Sequence, residues 1–276
     1  MPNKSYDTII IGGGPAGISA SLYIARAGKS VLLFAKDNGA LEKAEKVDNF
    51  FGQSEPISGN ALIKKGREHA VRLGVFILET EVVAISEEDN VFTVNGSYTA
   101  KSVVIATGKS RSKPNIKGLS EFEGKGVSFC AICDGAFFKN KTVIVIGEGE
   151  YAKSEAKYLS AISAKIITLS SKEIAEIYGD KRVRGIKLKD GSDITADGIF
   201  IAEGSASALN FADKLGIETK DGNIVTDKNG RTGIDGLYAC GDCTGGLLQI
   251  AKAVGEGAVV GELIVDSVKL KVNVSA

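Results

Sequence analysis

The feature that most restricts the fold is a glycine turn, Gly12-Gly13-Gly14-Pro15-Ala16-Gly17, set between two apolar segments. Tyr6–Ile11 reads as a buried strand, Pro15–Ala27 as a helix and Ser30–Phe34 as a second buried strand. Gly12 makes the tight turn, Gly14 lets backbone approach a pyrophosphate, and Gly17 permits close helix–strand packing. Pro15 suits the first helical turn, where its missing N–H costs little, and the helix N-terminus offers amides and positive dipole to a phosphate. The fingerprint in this context implies a dinucleotide-binding βαβ unit. The acid that usually ends the second strand is replaced by Ala35-Lys36, so the ribose is expected to be held by backbone or by another side chain.

The pattern recurs. Thr142–Ile146 reads as a strand, Gly147-Glu148-Gly149-Glu150-Tyr151-Ala152 as a second glycine turn, Glu150–Ala161 as a helix and Lys165–Leu169 as a strand. Between the two units lie a helix around Gly59–Leu73, strand material at Val75–Ile85 and Val91–Val94, and a buried strand Ser102–Ala106. Lys109–Gly118 is polar, carries Pro114 and reads as a domain crossing. Further on come a hairpin over Val183–Asp197, a strand Gly198–Ala202 and a long apolar helix, Gln249–Val268. The expected fold is α/β: two Rossmann-like nucleotide-binding-type domains with three-layer ββα character, the first interrupted by a shortened second. Boundaries at 1–112 with 202–276, and at 113–201, follow.

The chain has 276 residues, 43% hydrophobic and 25% charged, with no net charge, as an ordinary soluble globular protein has. No basic stripe points to nucleic acid, and no apolar run reaches the ~20 residues that span a bilayer. The N-terminus shows no basic-then-apolar leader, so a cytoplasmic location is expected.

Cys130-Ala131-Ile132-Cys133-Asp134-Gly135 is the clearest chemical motif. Two cysteines at this spacing close a small disulfide ring, and a following acid can move the proton that accompanies the electrons. Taken alone, the pair also reads as half a zinc site or as two inert buried thiols. Two further segments fit a flavin rather than a nicotinamide: Ala106-Thr107-Gly108 at a strand end, and Gly241-Asp242 ahead of the last helix, where a carboxylate can bind a ribityl hydroxyl. Ordinary strand-to-loop exits are the alternative reading of both.

In their order along the chain, the Gly12–Gly17 turn, Val47-Asp48-Asn49-Phe50-Phe51-Gly52, Ala106-Thr107-Gly108, Cys130–Gly135 and Cys240-Gly241-Asp242-Cys243 resemble the low-molecular-weight thioredoxin reductases over nearly the whole length. The resemblance implies FAD, a homodimer, thioredoxin as substrate and a CxxC on the inserted domain. It implies that Cys133 faces the flavin, that Cys130 attacks the partner disulfide and that Asp134 donates and accepts the proton. It places FAD against Gly12, Gly14, Pro15, Ala16, Gly17, Ala35, Lys36, Gly39, Ala40, Asn49, Val82, Ala106, Thr107, Gly108, Gly241, Asp242, Gln249, Ile250 and Ala251. The loop before Gln249 differs in length from the family's.

The second glycine turn departs from the family. A carboxylate ~5 Å from a phosphate charge is repelled by about 3 kcal/mol at an effective dielectric near 20, and Glu148 and Glu150 supply two. The same carboxylates complement the helix dipole, which is the plain structural account of them. Where the NADPH enzymes carry a His-Arg-Arg cluster, this chain has Thr168-Leu169-Ser170-Ser171, and no arginine follows until Arg182. The Gly-His-Ser-Pro-Asn-Thr-like segment is Glu203-Gly204-Ser205-Ala206-Ser207-Ala208. NADPH is therefore not the expected donor. The pattern is similar to the ferredoxin-dependent flavin thioredoxin reductases of anaerobic bacteria, which implies reduced ferredoxin as electron source. An NADPH enzyme with a degenerate site, and a flavin–dithiol sensor without turnover, are the alternatives.

No metal is expected. Cys240 and Cys243 are expected to serve packing, His69 a solvated helix face, and Phe50 and Phe51 apolar packing. Lys109, Lys113 and Lys117 are expected to be solvated rather than to receive an acidic partner.

Overall fold

The computed structural model describes residues 4–108, 114–129, 131–203 and 207–273. In chain order it runs β1 (Ser5–Ile11), α1 (Pro15–Arg26), β2 (Val31–Phe34), α2 (Gly59–Arg72), β3 (Phe76–Leu78), β4 (Ile85–Glu88), β5 (Val91–Val94) and β6 (Tyr98–Ile105). There follow α3 (Leu119–Phe122), β7 (Val127–Ser128), α4 (Ala131–Asp134), β8 (Thr142–Ile146), α5 (Glu150–Ser160), β9 (Lys165–Leu169), β10 (Ile174–Gly179), β11 (Val183–Leu188), β12 (Asp193–Thr195) and β13 (Gly198–Ile201). The chain closes with α6 (Ala208–Leu215), β14 (Thr219–Lys220), β15 (Asn223–Ile224), β16 (Leu237–Ala239) and α7 (Ile250–Asn273). Two compact units result: Met1–Lys109 with Ser207–Ala276, and Ser110–Ala206.

In the first unit β3, β2, β1 and β6 are parallel neighbours, and β6 serves two further partners along its other edge. Its Tyr98–Ala100 stretch pairs with antiparallel β5, and its Val103–Ile105 stretch with parallel β16. One strand thereby joins a Rossmann-type sheet to a β-meander. β2 is wholly apolar, and β1 is apolar from Ile9 to Ile11 with Thr8 the one polar residue in its covered stretch, as parallel strands with both faces covered tend to be. Ile9, Ile10, Leu32 and Leu33 are completely buried, each worth ~1.5–3 kcal/mol against exposure. α1 lies against α7 at close range. A Cβ on Gly257 would fall 2.2 Å from the Ala16 carbonyl, so this crossing admits only glycine there.

In the second unit β7, β13, β8 and β9 form a parallel sheet, and β10, β11 and β12 an antiparallel one. Ile144, Ile146, Ile177, Ile186 and Ile199 belong to its core. The sequence reading found β11 and β12 as a hairpin but not β10, their third strand. It also passed over α6. Helix α6 has its own start and stop: Ser207 accepts from Asn210 N in a capping box, and Gly216 ends it in the left-handed region. α7 extends to Asn273, beyond the expected end at Val268.

Candidate active site

The first glycine turn is closed by contacts that exclude side chains. A Cβ on Gly17 would lie 1.9 Å from the Gly12 carbonyl, and one on Gly12 2.2 Å from that of Ala106. These contacts bring Gly12–Gly17 and Ala106–Gly108 together at the carboxyl ends of β1 and β6, where α/β sheets bind ligands. Ala35, almost fully buried after β2, backs onto Gly13, and Gly241 abuts Ala16. Above Gly14, by contrast, there is open space. α1 begins without a side-chain cap and without an acid in its first turn, so its amides face that space free of competing carboxylates.

The surroundings fit FAD. Thr107 Oγ1 is buried with no hydrogen-bond partner, beside the turn that a flavin would pass. Asn49 Nδ2 donates to Gln249 Oε1 at 3.1 Å, joining two of the expected flavin residues across 200 positions. Ile250 and Ala251 open α7 immediately after. The Gly241-Asp242 loop is pinned to α7 by a network the sequence reading missed. Glu256 Oε2 accepts from Gly241 N at 2.8 Å, and Lys252 Nζ donates to the carbonyls of Gly241 and Gly245 at 2.9 and 2.6 Å. The lysine and glutamate pair at 3.0 Å, four residues apart on one helix face.

At the end of β2, Lys36 pairs with Glu81 at 3.0 Å, and Arg67 donates to the Asp37 carbonyl at 2.6 Å. Arg67 Nε is buried without a hydrogen-bond partner, which makes this side chain, expected with its neighbours around His69 to lie on a solvated helix face, a candidate for the ribose end. Gly39 and Ala40 stand on a turn of 3-10 helix, Gly39–Lys43, and Val82 is buried on the segment after β3. Phe51 departs from expectation: it is 97% exposed and packs no core.

Cys130 and the side chain of Cys133 lie outside the described residues; the backbone of Cys133 sits in α4. Asp134 Oδ2 accepts from Ser128 Oγ at 2.7 Å, which ties the end of the CxxC segment to β7. Asp134, Ser128 and Phe137 share an open cleft of about 650 Å3 with Lys141, Arg182 and Arg184. Two side chains of α5 reach the other end of the segment. Tyr151 OH donates to the Phe129 carbonyl at 3.5 Å, and Ala131 N donates to Glu155 Oε2 at 2.8 Å. Glu155 is only 3% exposed. A glutamate interrupting the apolar Tyr151, Ala152 and Leu159 face of α5 was the sequence signal for it.

The second glycine turn keeps the shape of a nucleotide loop. A Cβ on Gly147 would fall 2.1 Å from the Ala202 carbonyl, the same strand-to-turn approach as at Gly12. Its chemistry is different. Glu148 is exposed and pairs with Lys172 at 3.6 Å, which weakens the repulsion expected of it. A third carboxylate replaces it: Glu203, after β13, accepts from Ser171 Oγ at 2.9 Å through Oε1, while Oε2 is buried without a hydrogen-bond partner. The Glu150 side chain, Lys109 and Lys113 lie outside the described residues. Lys117 pairs with Glu176 at 2.9 Å.

Cys240 and Cys243 are buried free thiols. Cys243 Sγ donates to the carbonyls of Cys240 and Ile105 at 3.3 and 3.4 Å, and burial pushes its pKa up to about 12. Burial likewise carries Cys240 well above the usual thiol range. Buried and held protonated at neutral pH, both thiols are poor nucleophiles there. Among the described residues no cluster could hold a metal ion, and no helix is long and apolar enough to cross a membrane.

Residues 6–171 and 161–257 match the family model described as pyridine nucleotide-disulphide oxidoreductase. The chain is 35% identical to the thioredoxin reductase of Aquifex aeolicus, covering 88% of this chain and 86% of that one. Among solved structures it is similar to the atypical thioredoxin reductase TRi from Desulfovibrio vulgaris Hildenborough: 36% identity, TM-score 0.87, 95% of this chain and 97% of that one. It is also similar to a ferredoxin-flavin thioredoxin reductase from Clostridium acetobutylicum: 34% identity, TM-score 0.76, 96% of this chain and 99% of that one.

Proposed function

We propose that this chain, which belongs to the pyridine nucleotide-disulphide oxidoreductase family and within it to the thioredoxin reductase-type flavoprotein disulfide reductases, draws its electrons from reduced ferredoxin rather than from NADPH. FAD, when bound, accepts electrons singly and yields them as a pair, the chemistry that links a one-electron donor to a disulfide. The amides of Gly14 and Ala16 at the start of α1 would hold its pyrophosphate, with Pro15 fixing the first helical turn between them. Thr107 and Asp242 would take its polar groups, and Asn49 with Gln249 would line the flavin ring.

Cys130 and Cys133 form the output pair. The Cys130 thiolate attacks a thioredoxin disulfide, forming a mixed disulfide and releasing one thiolate of the substrate. Cys133 then attacks Cys130, which restores the intramolecular disulfide and frees the second substrate sulfur. Asp134 takes the proton from the attacking thiol and returns one to the leaving thiolate, held in place by Ser128. The proposal includes a homodimer and a cytoplasmic location.

The observation that supports the choice of donor is the acid at the second glycine turn, above all the buried oxygen of Glu203 beside the Gly147 approach. A nucleotide pyrophosphate requires amides and cations there. Turnover of a thioredoxin disulfide is expected with photoreduced ferredoxin, to be lost in Cys133→Ser while flavin is retained, and to be at background with NADPH alone. Equal turnover with NADPH would overturn the proposal. The reading with NADPH at a degenerate site draws support from the preserved geometry of Gly147, and the same assay decides between them.

A further inference from the structure

Helix α7 opens against two rules of helix stability. Its third residue is Lys252, a cation at the positive end of the helix dipole, and no acid stands in its first turn. Lys252 also precedes its partner Glu256 by four residues, the less stabilising order for such a pair. The helix that carries these two side chains therefore does not explain them.

What they hold is the loop ahead of it. Lys252 Nζ donates to the carbonyls of Gly241 and Gly245 and to Thr244 Oγ1, at 2.9, 2.6 and 3.1 Å. Glu256 Oε2 accepts from Gly241 N at 2.8 Å and lies 3.1 Å from the Thr244 hydroxyl. Gly241, Gly245 and Gly246 take positive φ, of 86°, 80° and 73°. A backbone of this kind has little preference of its own for one conformation, so the clamp selects the one it adopts. Inside it sits Asp242, half-buried, and among the described residues no hydrogen bond or ion pair holds its carboxylate. The peptide groups of the loop are tied down while its one carboxylate is left for a ligand.

We infer that Lys252 and Glu256 are positioning residues for Asp242, fixing its carboxylate where a ribityl hydroxyl of FAD would meet it. The inference rests on the reading of Asp242 as a FAD-binding residue. Its consequence is that Lys252, whose ammonium is engaged by the loop and by Glu256, contributes to FAD affinity only through Asp242.

The test is a double-mutant cycle on the affinity for FAD, measured by serial dilution of the FAD-loaded full chain with flavin fluorescence reporting release. Lys252→Met, which removes the donors and nearly keeps the length, is expected to weaken binding about tenfold, and Asp242→Ala at least about tenfold. The double variant is expected to bind within about twofold of Asp242→Ala alone, since the lysine then has nothing to position. Glu256→Gln, neutral and of the same shape, is expected to weaken binding about threefold by itself and to add nothing after Asp242→Ala. Wild-type affinity in Lys252→Met, or losses that multiply in the double variant, overturns the inference. If Lys252→Met alone fails to fold, the cycle of Glu256→Gln with Asp242→Ala decides in the same way. Failure of both to fold leaves the pair a stabiliser of the chain and overturns the inference as well. Unchanged binding in Asp242→Ala is a separate result: it overturns the reading of Asp242 as a ligand, whatever the lysine does.

Discussion

Asn49 and Gln249 meet through a hydrogen bond of 3.1 Å although 200 residues separate them. The two returns of the first unit, one after β2 and one ahead of α7, therefore converge on a single polar bridge. Replacing Gln249 by Leu leaves Asn49 without this partner, at a cost of about 1 kcal/mol in the order of the bridge. We expect Gln249→Leu to weaken FAD binding about fivefold with little change in melting temperature. Titration of apoprotein with FAD checks it.

Gly17→Ala should be far more damaging. Its Cβ would overlap the Gly12 carbonyl, a backbone atom that cannot swing aside. A loss of at least ~2 kcal/mol in folding stability is expected, with FAD lost on gel filtration. Thermal unfolding in the presence and absence of added FAD measures both.

Much of this site was legible in the sequence because it depends on backbone. Gly12, Gly17 and Gly147 are demanded by close approach, and a glycine fingerprint between a strand and a helix announces that approach. What escaped were side chains that act across the fold. Glu203 and Arg67 sit in ordinary loop and helical sequence, and only packing shows that a Glu203 oxygen is buried or that the Arg67 guanidinium turns inward, whereas Glu155 left a trace as the acid on an apolar helix face. Helix α6 was missed for a different reason. It is a single short amphipathic stretch of eight residues, although its Ser207 cap and Gly216 stop were present to be read. Phe51 was misread because an aromatic pair suggests a core, whereas the chain leaves this ring in the open.

The second glycine turn yields a graded prediction. Glu203→Gln should strengthen NADPH binding more than Glu148→Gln does, because Glu148 is exposed and paired while one Glu203 oxygen is buried. Gains of about tenfold and less than about threefold are expected, since burial raises and solvent screens the repulsion. Nucleotide titrations of the two variants compare them.

Cys243 gives a pH prediction. Its folded-state pKa of about 12 lies above the ordinary thiol value of 9, so the folded protein holds the proton longer than the unfolded chain does. The stability this contributes is complete below pH 9 and declines as pH rises toward 12. At pH 8 the native protein should resist alkylation at Cys243 and react there only on unfolding. Iodoacetamide labelling with and without denaturant, read by peptide mapping, checks the contrast.

The central claim is that electrons enter from an iron–sulfur protein and leave through Cys130 and Cys133. Anaerobic rapid mixing, followed at the flavin absorbance near 450 nm, tests it most directly. Reduced ferredoxin should bleach the flavin within the turnover time, and NADPH should leave it oxidised over many turnovers. Bleaching by micromolar NADPH at a rate that matches or exceeds that with ferredoxin would contradict the account.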